Sequence, residues 1–92
     1  MNATAKGEFT IVNALGLHAR AAAQLVKLAN RFQSEVFLVK DGQEVNGKSI
    51  MGVLMLAATQ GSTIAVRAEG ADAEPALKAI GDLVQAGFGE GR

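Results

Sequence analysis

The one histidine of this chain lies close to an arginine, in a segment that suits phosphoryl chemistry. The residues Gly16-Leu17-His18-Ala19-Arg20 lead into a run with helical periodicity, so His18 stands where a loop becomes a helix. Imidazole ionises near neutral pH, and its neutral form is a competent nucleophile. The guanidinium of Arg20 offers forked donors that match phosphate oxygens. These residue types predict a nucleophile beside an anion site.

The helix start beside His18 has no obvious capping side chain. Serine, threonine, aspartate and asparagine are the preferred N-caps, and none of them occurs within 14–23. The first backbone N–H groups of the helix are therefore open, and an open helix N-terminus binds anions. We expect the N–H groups of Ala19, Arg20 and Ala21 to bind phosphate. Gly16 would permit a tight turn just before them.

A second candidate site lies in Asn46-Gly47-Lys48-Ser49-Ile50-Met51-Gly52-Val53. Ser49 is placed to cap a short helix, and that structural role could be its whole purpose. It is also a candidate for phosphorylation, because a helix N-terminus tolerates a phosphate. The short helix carries more apolar side chains than one face can bury. We therefore expect Ile50, Met51 and Leu54 to be exposed and to contribute to a partner interface.

Segments in which apolar residues alternate predict four strands, and segments with apolar residues at helical spacing predict three helices. Their order along the chain is β-α-β-β-α-β-α. The expected strands cover 7–13, 35–40, 44–47 and 63–69. The expected helices cover 19–32, 49–58 and the segment between Asp72, its predicted N-cap, and Gly87. The last three residues, Glu90-Gly91-Arg92, are expected to fray. An α+β sandwich, with the helices on one face of a small antiparallel sheet, is the economical packing.

Composition and charge exclude several functional classes. With 92 residues we expect one domain over 1–92, and nine basic against nine acidic residues argue against nucleic-acid binding through bulk charge. No cysteine and a single histidine argue against disulfides and a metal site. Nucleotide-binding glycine motifs do not occur, so no cofactor is expected. No apolar run suits a membrane span or a signal peptide, and we expect a cytoplasmic protein.

Both motifs resemble those of the HPr family, the histidine-containing phosphocarriers of the bacterial phosphoenolpyruvate-dependent phosphotransferase system. Gly16 to Arg20 is similar to the active-site motif of that family, and Asn46 to Val53 is similar to its regulatory serine motif. The resemblance runs from about Glu8 to Val84 and preserves the spacing between the motifs. It implies an HPr-like open-faced β-sandwich, in which three helices cover one face of a four-stranded antiparallel sheet.

The resemblance also implies a role for each motif. His18 would accept a phosphoryl group, on Nδ1 in the family, from phosphorylated enzyme I and pass it to EIIA proteins or domains. Arg20 would stabilise the transferred phosphate, and Ser49 would be the target of an HPr kinase/phosphorylase. The chain would then be a monomeric carrier for sugar uptake and regulation rather than an enzyme, without metal or membrane insertion.

One departure and three alternatives accompany this interpretation. The family usually has proline after the active-site arginine, where this chain has Ala21. A first alternative is a regulatory, nitrogen-type phosphorelay carrier without sugar transport. The others are a small enzyme that uses His18 as a general base, and a ferredoxin-like interaction module with an incidental histidine. The lack of a neighbouring acid or base in the sequence argues against the enzyme.

Overall fold

The computed structural model describes residues 3–90. Its strands are β1 (Ala3–Thr10), β2 (Glu35–Lys40), β3 (Gln43–Asn46) and β4 (Thr63–Gly70). Its helices are α1 (Ala19–Ala29), α2 (Ile50–Met55) and α3 (Ala73–Gln85), and a 3₁₀ turn follows at Gly87–Gly89. The predicted order of elements is therefore confirmed. No helix in this part of the chain is long and apolar enough to cross a membrane.

The four strands form one antiparallel sheet in the order β1-β4-β2-β3. β1 pairs with β4 over its full length, from Ala3 opposite Gly70 to Thr10 opposite Thr63. α3 packs on β1 and β4, and α1 packs against both α2 and α3. The helices thus cover one face, and the predicted α+β architecture is confirmed.

The core lies between the sheet and the helices. Its largest fully buried apolar side chains come from both layers and include Ile11, Leu25, Leu38, Ile64 and Ile80. Burial alternates along β4, as expected for a strand with one covered face.

The uncovered face of the sheet carries a polar cluster around Arg67. Its guanidinium lies over the ring of Phe37, 4.4 Å from the centroid, and binds Glu44 and Glu69 at 2.7 Å each. These hydrogen bonds raise the pKa of Arg67. The cluster gives this face a polar surface.

β1 lies nearer the N-terminus than predicted, at Ala3–Thr10 instead of 7–13. Its first half has no large apolar side chain to reveal the alternation, but Ala5 is buried opposite Ala68 of β4. Pairing with β4, a distant segment, therefore sets where this strand begins. β3 is displaced by one residue from the predicted 44–47, and β4 continues one residue past the predicted 63–69.

Two helices are shorter than predicted because their last N–H groups bond three residues back. α1 ends at Ala29 rather than at residue 32, since Phe32 N–H donates to the Ala29 carbonyl at 3.2 Å. Phe32 keeps its place in the apolar pattern by packing on a small alanine cluster. α2 ends at Met55 rather than at residue 58, and Ala57 N–H donates to Leu54 at 3.1 Å. Such bonds tighten and close a last turn.

Candidate functional site

His18 is the N-cap residue of α1, as the sequence predicts. Its backbone is extended, with φ −74° and ψ 178°, and its carbonyl accepts the first helical bond from Ala22 N–H at 2.8 Å. Within residues 3–90, the His18 side chain makes no capping bond to its own helix. The side chain is 27% exposed, so the ring can be reached from solution.

The turn before His18 is built on Gly16, which has φ +63°. A Cβ at this position would lie 2.4 Å from the carbonyl oxygen of Ala58. The next residue, Leu17, donates its N–H to that oxygen at 2.9 Å. The loop before α1 is therefore fixed on the loop after α2, and only glycine fits at that contact.

Two residues that the sequence did not bring together with His18 complete the site. Nε2 of His18 forms a hydrogen bond with Oε2 of Glu90. Oε1 of the same carboxylate accepts a hydrogen bond from Nδ2 of Asn13 at 3.0 Å. Asn13 is fully buried and also donates from Nδ2 to the Gly16 carbonyl at 2.9 Å. Histidine, glutamate and asparagine thus form a hydrogen-bonded chain that ends on the turn at Gly16.

The carboxyl group of Glu90 is held in its charged form. Hydrogen bonds from Asn13 and then from His18 lower the pKa of Glu90 below its usual range, and the charge of Arg20 adds to this effect. Glu90 is therefore a carboxylate at neutral pH, and a carboxylate can only accept hydrogen bonds.

The tail that carries Glu90 is ordered rather than frayed, so that part of the prediction is wrong. Phe88 is 2% exposed and packs into the main core with φ +56°, between Gly87 and Gly89. Glu90 N–H then donates to the Gly87 carbonyl at 2.9 Å. An aromatic residue in an otherwise small and polar tail was the available signal, because such a side chain gains free energy when buried. Residues 91 and 92 lie outside the described part of the chain.

The predicted phosphate-binding residues differ in accessibility. Ala19 and Arg20 are exposed, whereas Ala21 is fully buried. The first N–H groups of a helix have no partner within it, so those of Ala19 and Arg20 are the better placed of the three to meet a phosphate. Arg20 lies on the same helical turn as His18 and is close enough to Glu90 to influence its pKa.

Ser49 caps α2, as predicted. Its hydroxyl oxygen accepts a hydrogen bond from Gly52 N–H at 3.1 Å.

Of the predicted interface residues, Ile50 is 44% and Met51 70% exposed. Leu54 is half-buried against the core, so the expectation of its exposure is wrong.

Two further apolar residues are exposed that the sequence analysis did not single out. Leu15, in the turn before His18, is 70% exposed, and Met55, at the end of α2, is 63% exposed. Large apolar side chains at the surface mark interaction sites when they are grouped. The turn that carries Leu15 is bonded to the loop after α2 through Leu17 N–H and the Ala58 carbonyl. We therefore treat Leu15, Ile50, Met51 and Met55 together as an apolar patch and a candidate partner surface.

Comparisons with known proteins identify the family. Residues 5–86 match the family model described as "PTS HPr component phosphorylation site". A phosphocarrier protein HPr of Neisseria meningitidis is 48% identical over 86 residues, covering 94% of this chain and 97% of that protein. The chain belongs to the HPr family. Its members are phosphocarriers of the bacterial phosphotransferase system, and the resemblance seen in the two motifs is confirmed.

A solved HPr structure and a longer relative agree with this family assignment. The crystal structure of HPr-C-His from Thermoanaerobacter tengcongensis superposes with a TM-score of 0.92 at 43% identity, covering 96% of this chain and 99% of that one. A multiphosphoryl transfer protein of Escherichia coli O157:H7 is 44% identical over 87 residues, which are 91% of this chain and 23% of that protein. The match to the HPr family model includes His18, Arg20 and Ser49 and ends before Glu90.

Proposed function

We propose that this HPr-family protein accepts a phosphoryl group on His18 from phosphorylated enzyme I and passes it to EIIA proteins or domains, in sugar uptake and its regulation. The observation that carries the proposal is the position of the chain's one histidine at the open, partly exposed N-terminus of α1. The protein acts as a carrier whose covalent modification is the reaction, without independent catalysis. It needs no cofactor for this cycle.

The surroundings of His18 supply the means to hold the phosphoryl group. The exposed residues Ala19 and Arg20 contribute helix N–H groups, and the Arg20 guanidinium adds a positive charge. Backbone N–H groups at a helix N-terminus and an arginine together form a strong phosphate site. This environment stabilises the phosphoryl group but leaves it exposed. A phosphoryl group that is passed to a second protein must remain accessible in this way.

The apolar patch of Leu15, Ile50, Met51 and Met55 provides a docking surface for both partners. Its two methionines are flexible and polarizable, which suits binding to more than one protein. The exposed Arg20, in the first turn of α1, lies at the site and would attract an acidic partner. Enzyme I and EIIA would therefore use overlapping contacts, one after the other.

Ser49 supports a second level of control. We infer that a kinase of the HPr kinase/phosphorylase type phosphorylates its hydroxyl. Ser49 is half-buried and next to the exposed Ile50 and Met51. A phosphate here would add about two negative charges beside an apolar contact surface. Docking of enzyme I would weaken, because desolvating these charges is unfavourable.

The decisive experiment is phosphorylation with enzyme I and radiolabelled phosphoenolpyruvate. Wild type should gain acid-labile, base-stable phosphate and lose it when an EIIA protein is added. His18→Ala should fold normally and remain unlabelled. Acid-labile label on His18→Ala would overturn the assignment, and a wild type that stays unlabelled would favour the general-base enzyme or the interaction module. Sedimentation of both forms would test the predicted monomer.

A further inference from the structure

We propose that Glu90 is a positioning residue for this phosphoryl transfer: held by Asn13, it keeps the proton of the neutral His18 ring on Nε2 and leaves Nδ1 free to attack phosphorus. This inference rests on the proposed role of His18 as phosphoryl acceptor. It assigns a function to a residue beyond the part of the chain that matches the family model.

The first step of the argument is the direction of the hydrogen bond between Glu90 and His18. The carboxyl group of Glu90 is ionised, because the hydrogen bond from Asn13 lowers its pKa. It can therefore only accept, and Nε2 of His18 must donate. A neutral imidazole carries one proton, so Nδ1 retains its lone pair. The contact thus selects the nucleophilic nitrogen.

The second step is that Asn13 cannot reverse this arrangement. Nδ2 of Asn13 donates to the Gly16 carbonyl at 2.9 Å and to Glu90 Oε1 at 3.0 Å. Turning the amide over would place its oxygen against two other acceptors, which is unfavourable for a fully buried residue. The orientation of Asn13 is therefore fixed, and it directs one oxygen of Glu90 to itself and leaves the other for His18.

The third step concerns the charge that develops during transfer. The lone pair of Nδ1 forms a bond to phosphorus, while the bond from phosphorus to its donor atom on phosphorylated enzyme I breaks and its electron pair stays on that donor atom. The His18 ring then bears a phosphoryl group on Nδ1 and its original proton on Nε2, so the ring becomes positive. The carboxylate of Glu90 faces that proton and stabilises the developing charge.

The variant Glu90→Gln tests the proposal because it keeps the shape of the side chain and inverts its chemistry. Asn13 presents its Nδ2 group, a donor, to residue 90, so the glutamine must turn its oxygen toward Asn13. Its amide group then donates to Nε2 of His18, and the ring proton moves to Nδ1. Replacing a carboxylate that orients a histidine by its amide has this effect in other sites. Glu74→Gln changes the net charge equally at an exposed position of α3 and serves as the control.

Two measurements are made on each protein. Nitrogen-15 NMR of the single histidine, at a pH where the ring is neutral, reports which nitrogen carries the proton. The rate of labelling by enzyme I reports transfer. For Glu90→Gln we expect a shift toward the Nδ1–H form and a fall in rate of about tenfold or more, with wild-type values for Glu74→Gln. Thermal unfolding confirms that each variant is folded.

Every other result contradicts the proposal in an identifiable way. An unchanged tautomer in Glu90→Gln would show that Glu90 does not position the ring, whatever the rate. A reversed tautomer with an unchanged rate would show that the position of the proton does not matter for transfer. If wild type itself is not labelled, the proposed phosphocarrier function fails, while the NMR measurement still reports the effect of Glu90 on His18.

Discussion

The carboxylate of Asp72 binds Ser34 instead of capping its own helix. Oδ1 of Asp72 accepts hydrogen bonds from the backbone N–H, at 2.8 Å, and from the hydroxyl of Ser34, and Oδ2 accepts from Gln33 N–H at 2.9 Å. Ser34 is 1% exposed. Asp72 is the N-cap residue by position, but within residues 3–90 its side chain makes no cap bond to α3. It joins the loop after α1 to the start of the last helix.

The first prediction is that Asp72 makes the stability of the fold depend on pH. The hydrogen bonds from Ser34 and Gln33 lower the pKa of Asp72. Such an acid stabilises the fold above its unfolded pKa, and the stabilisation is lost as the pH falls through the folded pKa. Asp72→Asn should therefore be less stable than wild type near neutral pH, and this difference should shrink below about pH 4.

Urea unfolding of both proteins from neutral to acid pH measures the effect. Asp82→Asn is the control, because it removes an exposed carboxylate of α3 that pairs with Lys78 at the surface, and such pairs contribute little. A difference between Asp72→Asn and wild type that is as large in acid as at neutral pH would show that the contact with Ser34 does not depend on the charge.

The second prediction separates the role of Arg20 in transfer from its role in stability. Arg20 is exposed, so Arg20→Ala should change the free energy of unfolding by less than about 1 kcal/mol. Labelling of His18 by enzyme I should slow by about tenfold or more, because a charge-assisted contact to phosphate is lost. Arg20→Lys should recover only part of the rate, since lysine lacks the forked donors. Lys27→Ala, a change in the last turn of α1, controls for loss of charge. Equal labelling rates for Arg20→Ala and wild type would exclude a role in transfer.

The third prediction concerns Ala21, where the family usually has proline. Ala21 is in the first turn of α1, and its N–H has no partner within the helix. Ala21→Pro should fold and gain up to about 1 kcal/mol, because proline restricts the unfolded chain. Ala22→Pro is the matched control, since Ala22 N–H bonds to the His18 carbonyl at 2.8 Å. It should cost about 3 kcal/mol. If Ala21→Pro lowers the melting temperature as much as Ala22→Pro does, the buried position of Ala21 has no room for the proline ring.

The fourth prediction tests negative charge at Ser49. Ser49→Asp should slow labelling of His18, with the same sign as phosphorylation but a smaller size, because aspartate has one charge and a shorter reach. Ser49→Asn is the closest control, as it keeps the shape and the capping ability without the charge. Ser49→Ala should be labelled like wild type but lose about 1 kcal/mol of stability with the bond from Gly52. If Ser49→Asp and Ser49→Asn are labelled equally fast, and a kinase leaves Ser49 unmodified, Ser49 is only a helix cap.

The sequence predicted features whose causes are local. The periodic apolar face of α1 and the cap at Ser49 depend on residues within one or two turns. The absence of an N-cap side chain before Ala19 likewise indicated an open helix start. The ends of α1 and α2 were misplaced by about one turn, because apolar periodicity continues through residues whose N–H groups bond three positions back.

The contacts of His18 could not be predicted in the same way. Glu90 is 72 residues from His18 and 77 from Asn13 along the chain. No pattern of charge or hydrophobicity links such distant positions. The buried Asn13 was assigned to the end of a strand, and Glu90 to a frayed tail. Both errors arise because tertiary packing, through Phe88 and the pairing of β1 with β4, decides where these side chains meet.

The same separation sets the order in which the parts of the site become available during synthesis. Asn13 and His18 are translated before Glu90, which follows them by 77 and 72 residues. β1 must also wait for β4, its partner across more than fifty residues of chain in every register pair. Contacts of this kind form late, because a long loop must close before they are made. A nascent chain therefore displays its histidine before it has the carboxylate that bonds to the ring, and the hydrogen-bonded group of His18, Glu90 and Asn13 is complete only after the last helix has docked.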